Sequence, residues 1–304
     1  GAGLFVLGSD NTRPCEGSTV GLNSSKQVCA SAGAAILESG MDNSPMYYNS
    51  FSDPTKPNST VQAGWDSVQN RIQLYDVQMS ALFISESEAL QALAEPAGSA
   101  AVVPNLKTQS DAIVALVNGV LWDEKTGVYR QVDASPARRG FSPRLSPTSF
   151  YPMISGTASE AQVGRLVAEH LTNPNEFCVD ADPSRGPPPC PYSLPSIARN
   201  DPYFYDNSYW RGRTWGPLNL LVWLGLSHPR YSAMAAVRGA RRGLCEQSKA
   251  LLLKEFHLKR HVHENYNSTN GMGDDVPNSN PFYHWGALLG YIGMRENMAA
   301  LAAA

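Results

Sequence analysis

Two acidic residues stand in settings that folding alone explains poorly. The first is Asp42, within Glu38-Ser39-Gly40-Met41-Asp42-Asn43-Ser44-Pro45. Gly40 supplies a permissive backbone, Asn43 bonds its own main chain and Pro45 fixes φ, so the stretch reads as a loop. An Asp in such a loop can simply cap the next segment. It can also be held out for chemistry. The second acid lies far downstream in His263-Glu264-Asn265-Tyr266-Asn267, followed by Gly271-Met272-Gly273. Two carboxylates are the minimum equipment for cleaving a glycosidic bond. Direct displacement by water needs a protonated carboxyl on the leaving oxygen and an ionised one on the water, about 6.5–9.5 Å apart. The proton donor needs a pKa raised by burial among apolar groups.

Other side chains fit around such a pair. Tyr209-Trp210-Arg211-Gly212 offers an aromatic face for a sugar ring and a guanidinium fork for paired hydroxyls or a carboxylate. Trp210 can equally be core filler, whereas Arg211, placed before an apolar stretch, needs a charged partner, such as an acid of the site. Asn43 belongs with the sugar-contacting groups by its position beside Asp42. Tyr266 and Trp285 are candidates for pocket walls, with helix core as the other use of Trp285. Asp76 follows Tyr75 at the head of a helical stretch and reads as an N-cap rather than a ligand. His257, His261 and His263 alternate without nearby cysteines, a spacing that matches no common zinc pattern, so neither metal nor cofactor is expected.

The elements that must position these residues are helical. Leu74 to Leu93 carries an amphipathic pattern, as do Asn105 to Trp122, with Asp111 near its start favouring the dipole, and Ser159 to Leu171, with Ser159 as N-cap. Trp215 to Leu226 is apolar nearly all round, the pattern of a helix buried between layers. Tyr231 to Leu253 and Tyr283 to Met294 complete the set, and strand alternation is nearly absent. The loops hold most of the Pro, Gly and aromatic residues and are too long to be mere connectors. Such helix pairs suit a toroid with its loops gathered at one end; an open helical array has the same composition, but no internal repeat favours it.

Composition sets outer bounds. The chain has 304 residues, 42% hydrophobic and 17% charged, enough for a large core and a single domain over 1–304 with an irregular lead-in at 1–35. The net charge is 24 − 27 = −3 without a long basic run, which argues against nucleic acid as a partner. No apolar run approaches the ~20 residues of a membrane-spanning helix, and no signal pattern opens the chain. A start at Gly1 is expected of a processed piece. Five cysteines place Cys15 near Cys29 and Cys178 near Cys190, with Cys245 left over. A disulfide closing the Pro-rich stretch between Cys178 and Cys190, and sequons at Asn23, Asn58 and Asn267, point to a secretory or extracellular setting, with the cytoplasm as the alternative.

Five motifs in order carry a resemblance. The Glu38 to Pro45 segment, Leu121-Trp122-Asp123-Glu124-Lys125-Thr126-Gly127-Val128-Tyr129, Ser149-Phe150-Tyr151-Pro152, Ser208-Tyr209-Trp210-Arg211-Gly212-Arg213-Thr214-Trp215, and His263-Glu264-Asn265-Tyr266 with Phe282-Tyr283-His284-Trp285 resemble glycoside hydrolase family 63, a relative of the trehalases. The resemblance covers most of Ile36 to Gly293. It implies an all-α, (α/α)6 toroid and an inverting mechanism, with Asp42 as general acid and Glu264 as general base. The implied substrate is an oligosaccharide or small glycoside with an α-glucosidic bond. A mannosylglycerate-type hydrolase and a non-catalytic carbohydrate-binding toroid are the alternatives. Three positions depart from the family pattern: Arg213 and Gly216 stand where Pro is common, and Met46 where a basic residue is frequent. Arg213 is expected near the pocket mouth, where it would meet a substrate carboxylate. Because few residues precede Asp42, the toroid is expected to be incomplete in this chain and completed by an N-terminal partner segment.

Overall fold

The computed structural model describes residues 3–8, 31–48, 50, 64–135, 140–180, 182 and 189–303. Cys15, Cys29 and the sequons at Asn23 and Asn58 lie outside these residues. The chain divides into two compact units, Gly1–Glu124 with Tyr129–Arg144, and Lys125–Val128 with Leu145–Ala304.

In the first unit, β1 (Val6–Gly8), α1 (Ala32–Leu37), α2 (Pro45–Tyr48), β2 (Trp65–Asp66) and β3 (Arg71–Tyr75) precede two long helices, α3 (Val77–Ala94) and α4 (Val103–Leu116). After β4 (Trp122–Asp123) and β5 (Val128–Tyr129) comes β6 (Val132–Asp133). β3 is central to a small antiparallel sheet, pairing Val6 with Tyr75, Trp65 with Ile72, and Leu74 with Asp133. The helix expected from Leu74 therefore starts three residues later. Ile72 and Leu74 point inward at a spacing of two, a strand pattern, and Asp76 then breaks it. Asp76 is the expected N-cap: its Oδ1 accepts from the Met79 amide at 2.7 Å. Its Oδ2 also accepts from the Tyr47 hydroxyl at 2.9 Å and the Gln131 amide at 2.8 Å, so one fully buried carboxylate ties α2, β3, α3 and the approach to β6 together. Burial raises this carboxyl, and the hydrogen bonds from Met79, Tyr47 and Gln131 oppose the rise.

The second long helix also departs from expectation. α4 gives way to a widened π turn over Val117–Leu121 before Trp122 becomes extended. Asp111 sits beyond its first turn and pairs instead with Lys107 one turn back, at 2.8 Å, so it does nothing for the dipole at the helix start.

The second unit is built on α5 (Glu160–Arg165), α6 (Gly216–Leu226), α7 (Ala235–Lys259) and α8 (Leu288–Ala303), with β7 (Arg213–Trp215) and β8 (Asn265–Asn267) between them. Ser159 caps α5 as expected, in a full capping box: Ser159 Oγ accepts from the Gln162 amide and Gln162 Oε1 from the Ser159 amide. That helix, too, ends in a π turn, Leu166–Leu171. α6 packs against α7, α8 and the fully buried 3-10 segment Pro147–Met153. Its near-uniform apolarity follows from having neighbours on several sides. Residue 225 must be glycine there, because a Cβ would lie 2.9 Å from that of Met153.

Cys178 and Cys190 form the expected disulfide. Gln247 of α7 donates to the carbonyls of both half-cystines, at 3.0 and 2.7 Å, so the closed loop is clamped to the longest helix. Cys245 is buried and reduced, its thiol pushed up to about 11, chiefly by burial. Among the described residues no helix is long and apolar enough to cross a membrane.

Replacing Ser159 by Ala removes the acceptor for the Gln162 amide and is expected to lower unfolding stability by about 1 kcal/mol, whereas Ser159→Asp retains it. Thermal unfolding of the two variants checks this; equal midpoints would contradict it.

Candidate active site

The site in the second unit grows from one two-stranded ribbon. β7 and β8 run antiparallel with Arg213 opposite Asn267, Thr214 opposite Tyr266 and Trp215 opposite Asn265. Glu264 enters at the head of β8 and is 5% exposed. Its amide donates to the Asn280 carbonyl at 2.9 Å, and the Asn280 amide approaches Oε2 at 3.5 Å. The Tyr209 hydroxyl donates to Oε1 at 3.3 Å. A carboxylate fixed on both oxygens has little freedom to turn, as an acid that must aim at a water requires.

Tyr209 reaches Glu264 because its own backbone is in the left-handed region, φ 55°, inside a tight turn closed by Ser208 and Arg211. The Trp215 indole N–H donates to the Tyr209 carbonyl at 2.9 Å and holds that turn against the ribbon. Trp210 lies flat on Trp215, with ring centroids 3.6 Å apart and planes 6° from parallel. At 4% exposure it is core filler, so the open sugar face expected of it is not there. Arg211 does have an acid partner, Asp206 at 3.0 Å, and stacks over Tyr203. Tyr266 is likewise core rather than pocket wall: it is fully buried with Leu251 and Leu289, its hydroxyl accepts from the His263 amide at 3.0 Å, and burial pushes its pKa up to about 12. Trp285 is half-buried, edge-on to Trp215.

Arg213 is the largest correction. It is fully buried rather than at a pocket mouth. Its guanidinium donates to Asp275 at 2.7 Å, to Asn265, to Asn207 at 3.3 Å and to the Met272 and Gly273 carbonyls. With its donors committed to protein oxygens, it has none left for a substrate carboxylate. Asp275 is held below the usual carboxylate range by Asn267, Arg213 and Asn207 despite its burial. The sequence signal for Asp275 was Arg213 itself, since a buried guanidinium requires an acid. Gly216, the second departure, admits the Trp285 carbonyl, which would lie 2.0 Å from a Cβ. Asn267, in the third sequon, spends its side-chain N–H on Asp275 and its Oδ1 on the Thr269 and Asn270 amides.

Asp42 and Asn43 belong to the first unit. The loop before them is pinned by Ser39, whose hydroxyl donates to the Ile36 carbonyl at 2.6 Å and accepts from the Met41 amide at 3.0 Å. Met41 and Met46 are buried on either side, which removes Met46 from any substrate contact. At the start of α2 the hydroxyl of Ser44, not the carboxylate of Asp42, accepts from the Met46 amide. Asp42 is half-buried, and burial raises its carboxyl, partly offset by its own amide. A raised, non-capping carboxyl is what a proton donor requires. Among the described residues no cluster of His, Cys, Asp and Glu could hold a metal ion.

The architecture has known counterparts. The chain is similar to the glycoside hydrolase family 63 mannosylglycerate hydrolase of Thermus thermophilus in complex with glucose, at TM-score 0.61 and 19% identity over 86% of this chain and 61% of that one. The same enzyme in complex with Tris and D-glycerate gives 0.60 and 20%, over 86% and 63%. The neutral trehalase of Saccharomyces cerevisiae gives 0.52 and 13%, over 78% and 40%. The fold is thus the all-α fold of the family 63 and trehalase toroids, and this chain spans less than two thirds of the length of these relatives. Residues 30–285 match the mannosylglycerate hydrolase MGH1-like glycoside hydrolase domain, and the chain belongs to that family. No curated protein sequence matches it.

Arg213→Ala leaves the buried Asn265 side chain and the Met272 and Gly273 carbonyls without their donor and opens the β7–β8 ribbon. The expected loss of stability is about 2–3 kcal/mol, read by denaturant unfolding; a loss under about 1 kcal/mol would contradict the role assigned to Arg213.

Proposed function

We propose that this chain is an inverting glycoside hydrolase acting on an α-glucosidic bond of an oligosaccharide or small glycoside. In this reading Asp42 gives its proton to the leaving oxygen while Glu264 takes one from the attacking water, which adds to the opposite face of the sugar. The observation that carries it is the contrast between the two carboxyls. Asp42 is raised by burial in a loop where, among the described residues, Ser44 does the capping, and Glu264 accepts from Tyr209 and the Asn280 amide at the edge of the ribbon. The family match spans both units, which supports one catalytic domain over the whole chain. A solved relative's complex with glucose supports a sugar as ligand.

A second reading, hydrolysis of mannosylglycerate, draws on the family's description and on a relative's complex with D-glycerate. Here the substrate carboxylate would need a cation other than Arg213. A non-catalytic carbohydrate-binding role is disfavoured because both acids are present. A companion N-terminal segment completing the toroid is part of this reading, and the Cys178 to Cys190 disulfide fits a secretory or extracellular setting.

Assay of α-glucosyl disaccharides against mannosylglycerate distinguishes the two substrates, and the intact mass of the native assembly tests the companion segment. Asp42→Asn and Glu264→Gln are each expected to lower kcat by about 100-fold or more, and undiminished turnover by either would remove its assigned role. Asp42 also carries a stability signature. Because its folded pKa is raised, its favourable contribution is present at acid pH and is lost as pH rises through the folded value. Asp42→Asn is therefore expected to be more stable than the parent at neutral pH, with the difference closing below the ordinary carboxylate range. A difference independent of pH would refute this.

A further inference from the structure

Glu255 is a buried acid that the reaction above does not use. It lies in the last turns of α7 with no side-chain exposure, and neither of its oxygens has a hydrogen bond of ordinary alignment, although the Gly273 amide comes close enough to oppose the effect of burial. Its Oε1 nevertheless stands 2.9 Å from Nδ1 of His263, itself 3% exposed and also without an aligned partner. A carboxylate and an imidazole facing each other in the interior are retained at a cost to stability. His263 immediately precedes Glu264 in the chain.

The surroundings of His263 are built to hold it still. Its amide donates to the Tyr266 hydroxyl at 3.0 Å. Its ring rests on Gly273, where a Cβ would come within 2.3 Å, and its carbonyl on Gly286, where a Cβ would come within 2.2 Å. Backbone thus closes on two sides of the residue, and Glu255 addresses the ring nitrogen. We propose that Glu255 is a positioning residue for Glu264, acting through the His263 imidazole. This rests on Glu264 being the general base.

The couple also has an electrostatic consequence. On raising the pH it passes from one positive charge, through neutrality, to one negative charge, at the residue next to Glu264 in the chain. Burial raises Glu255 and lowers His263, which favours the neutral forms. The ionisable groups around the pair are Asp274, Lys259, His261, Arg213 and the Tyr266 hydroxyl. Changing Glu255 to Gln deletes only the negative step and, through that charge, also relaxes Arg213, Lys259 and Tyr266, whose acidities Glu255 holds down.

The test is the split between kcat and KM for the full chain, with whichever of an α-glucosyl disaccharide and mannosylglycerate it turns over faster. Glu255→Gln, which keeps the shape and removes the carboxylate facing Nδ1, is expected to lower kcat by about tenfold or more with KM within about twofold. Parental kcat in Glu255→Gln, or a loss that falls on KM instead of kcat, overturns the proposal whatever happens to the melting temperature. If Glu255→Gln does not fold, Glu255→Asp decides alone: reduced kcat at unchanged KM supports positioning, and parental kcat overturns it. Glu264→Gln run alongside keeps the two ideas apart. Full turnover there removes the general-base reading, whereas its loss beside an unperturbed Glu255→Gln removes only the part given to Glu255.

Discussion

The second unit depends on a buried guanidinium that cannot be left unsatisfied. Arg213 is without exposure, and burial lowers the pKa of its guanidinium, while Asp275, Asn265, Asn207 and two backbone carbonyls receive its N–H groups. Those acceptors come from both sides of the β7–β8 ribbon and from the loop after it. A cation in the interior thereby converts three separate stretches of chain into one rigid body, and Glu264 is mounted on its edge. The gain is geometric rather than energetic, because a buried ion pair roughly repays its own desolvation.

Carboxyls at different depths have different partners and so do different work. Asp76 is saturated by an amide, a phenol and a carboxamide, and joins elements of the first unit. Asp275 is matched to Arg213 and lies low on the acidity scale. Asp42 has burial without comparable compensation, and its carboxyl is correspondingly reluctant to ionise. The same side-chain chemistry thus yields a strut, a counter-ion and an acid, according to how many donors surround it.

Local signals were the legible part of the sequence. Ser159 with Gln162, Asp76 before an apolar run, and the apolar span of α6 each declare themselves within one or two turns of chain. The order of motifs around Asp42 and Glu264 exposed the family. What stayed hidden depends on partners remote in sequence. Leu74 and Tyr75 read as helix because their strand partners are residues 6, 132 and 133. Trp210 offers a sugar platform in the sequence because its companion, Trp215, carries the pattern of the first residue of a helix. Arg213 read as a surface charge because Asp275 lies 62 positions away.

The widened turn at Val117–Leu121 carries a consequence for the sequence's tolerance of change. A π turn accommodates one residue more than the α-helical ladder would, so the chain beyond it is rotated by about 100° relative to a regular helix. Downstream, Asp123 faces Arg130 at 3.4 Å, and Trp122 meets Tyr129 edge to face. Across the turn itself the Tyr129 hydroxyl donates to Asn118 Oδ1 at 2.7 Å. Deleting one residue within the turn would restore the regular ladder while rotating the hairpin as a whole and carrying Tyr129 off that acceptor. The bulge therefore behaves as a phase-setting insertion: the chain can keep an ideal helix there or the seat of the hairpin on it, and it has kept the seat.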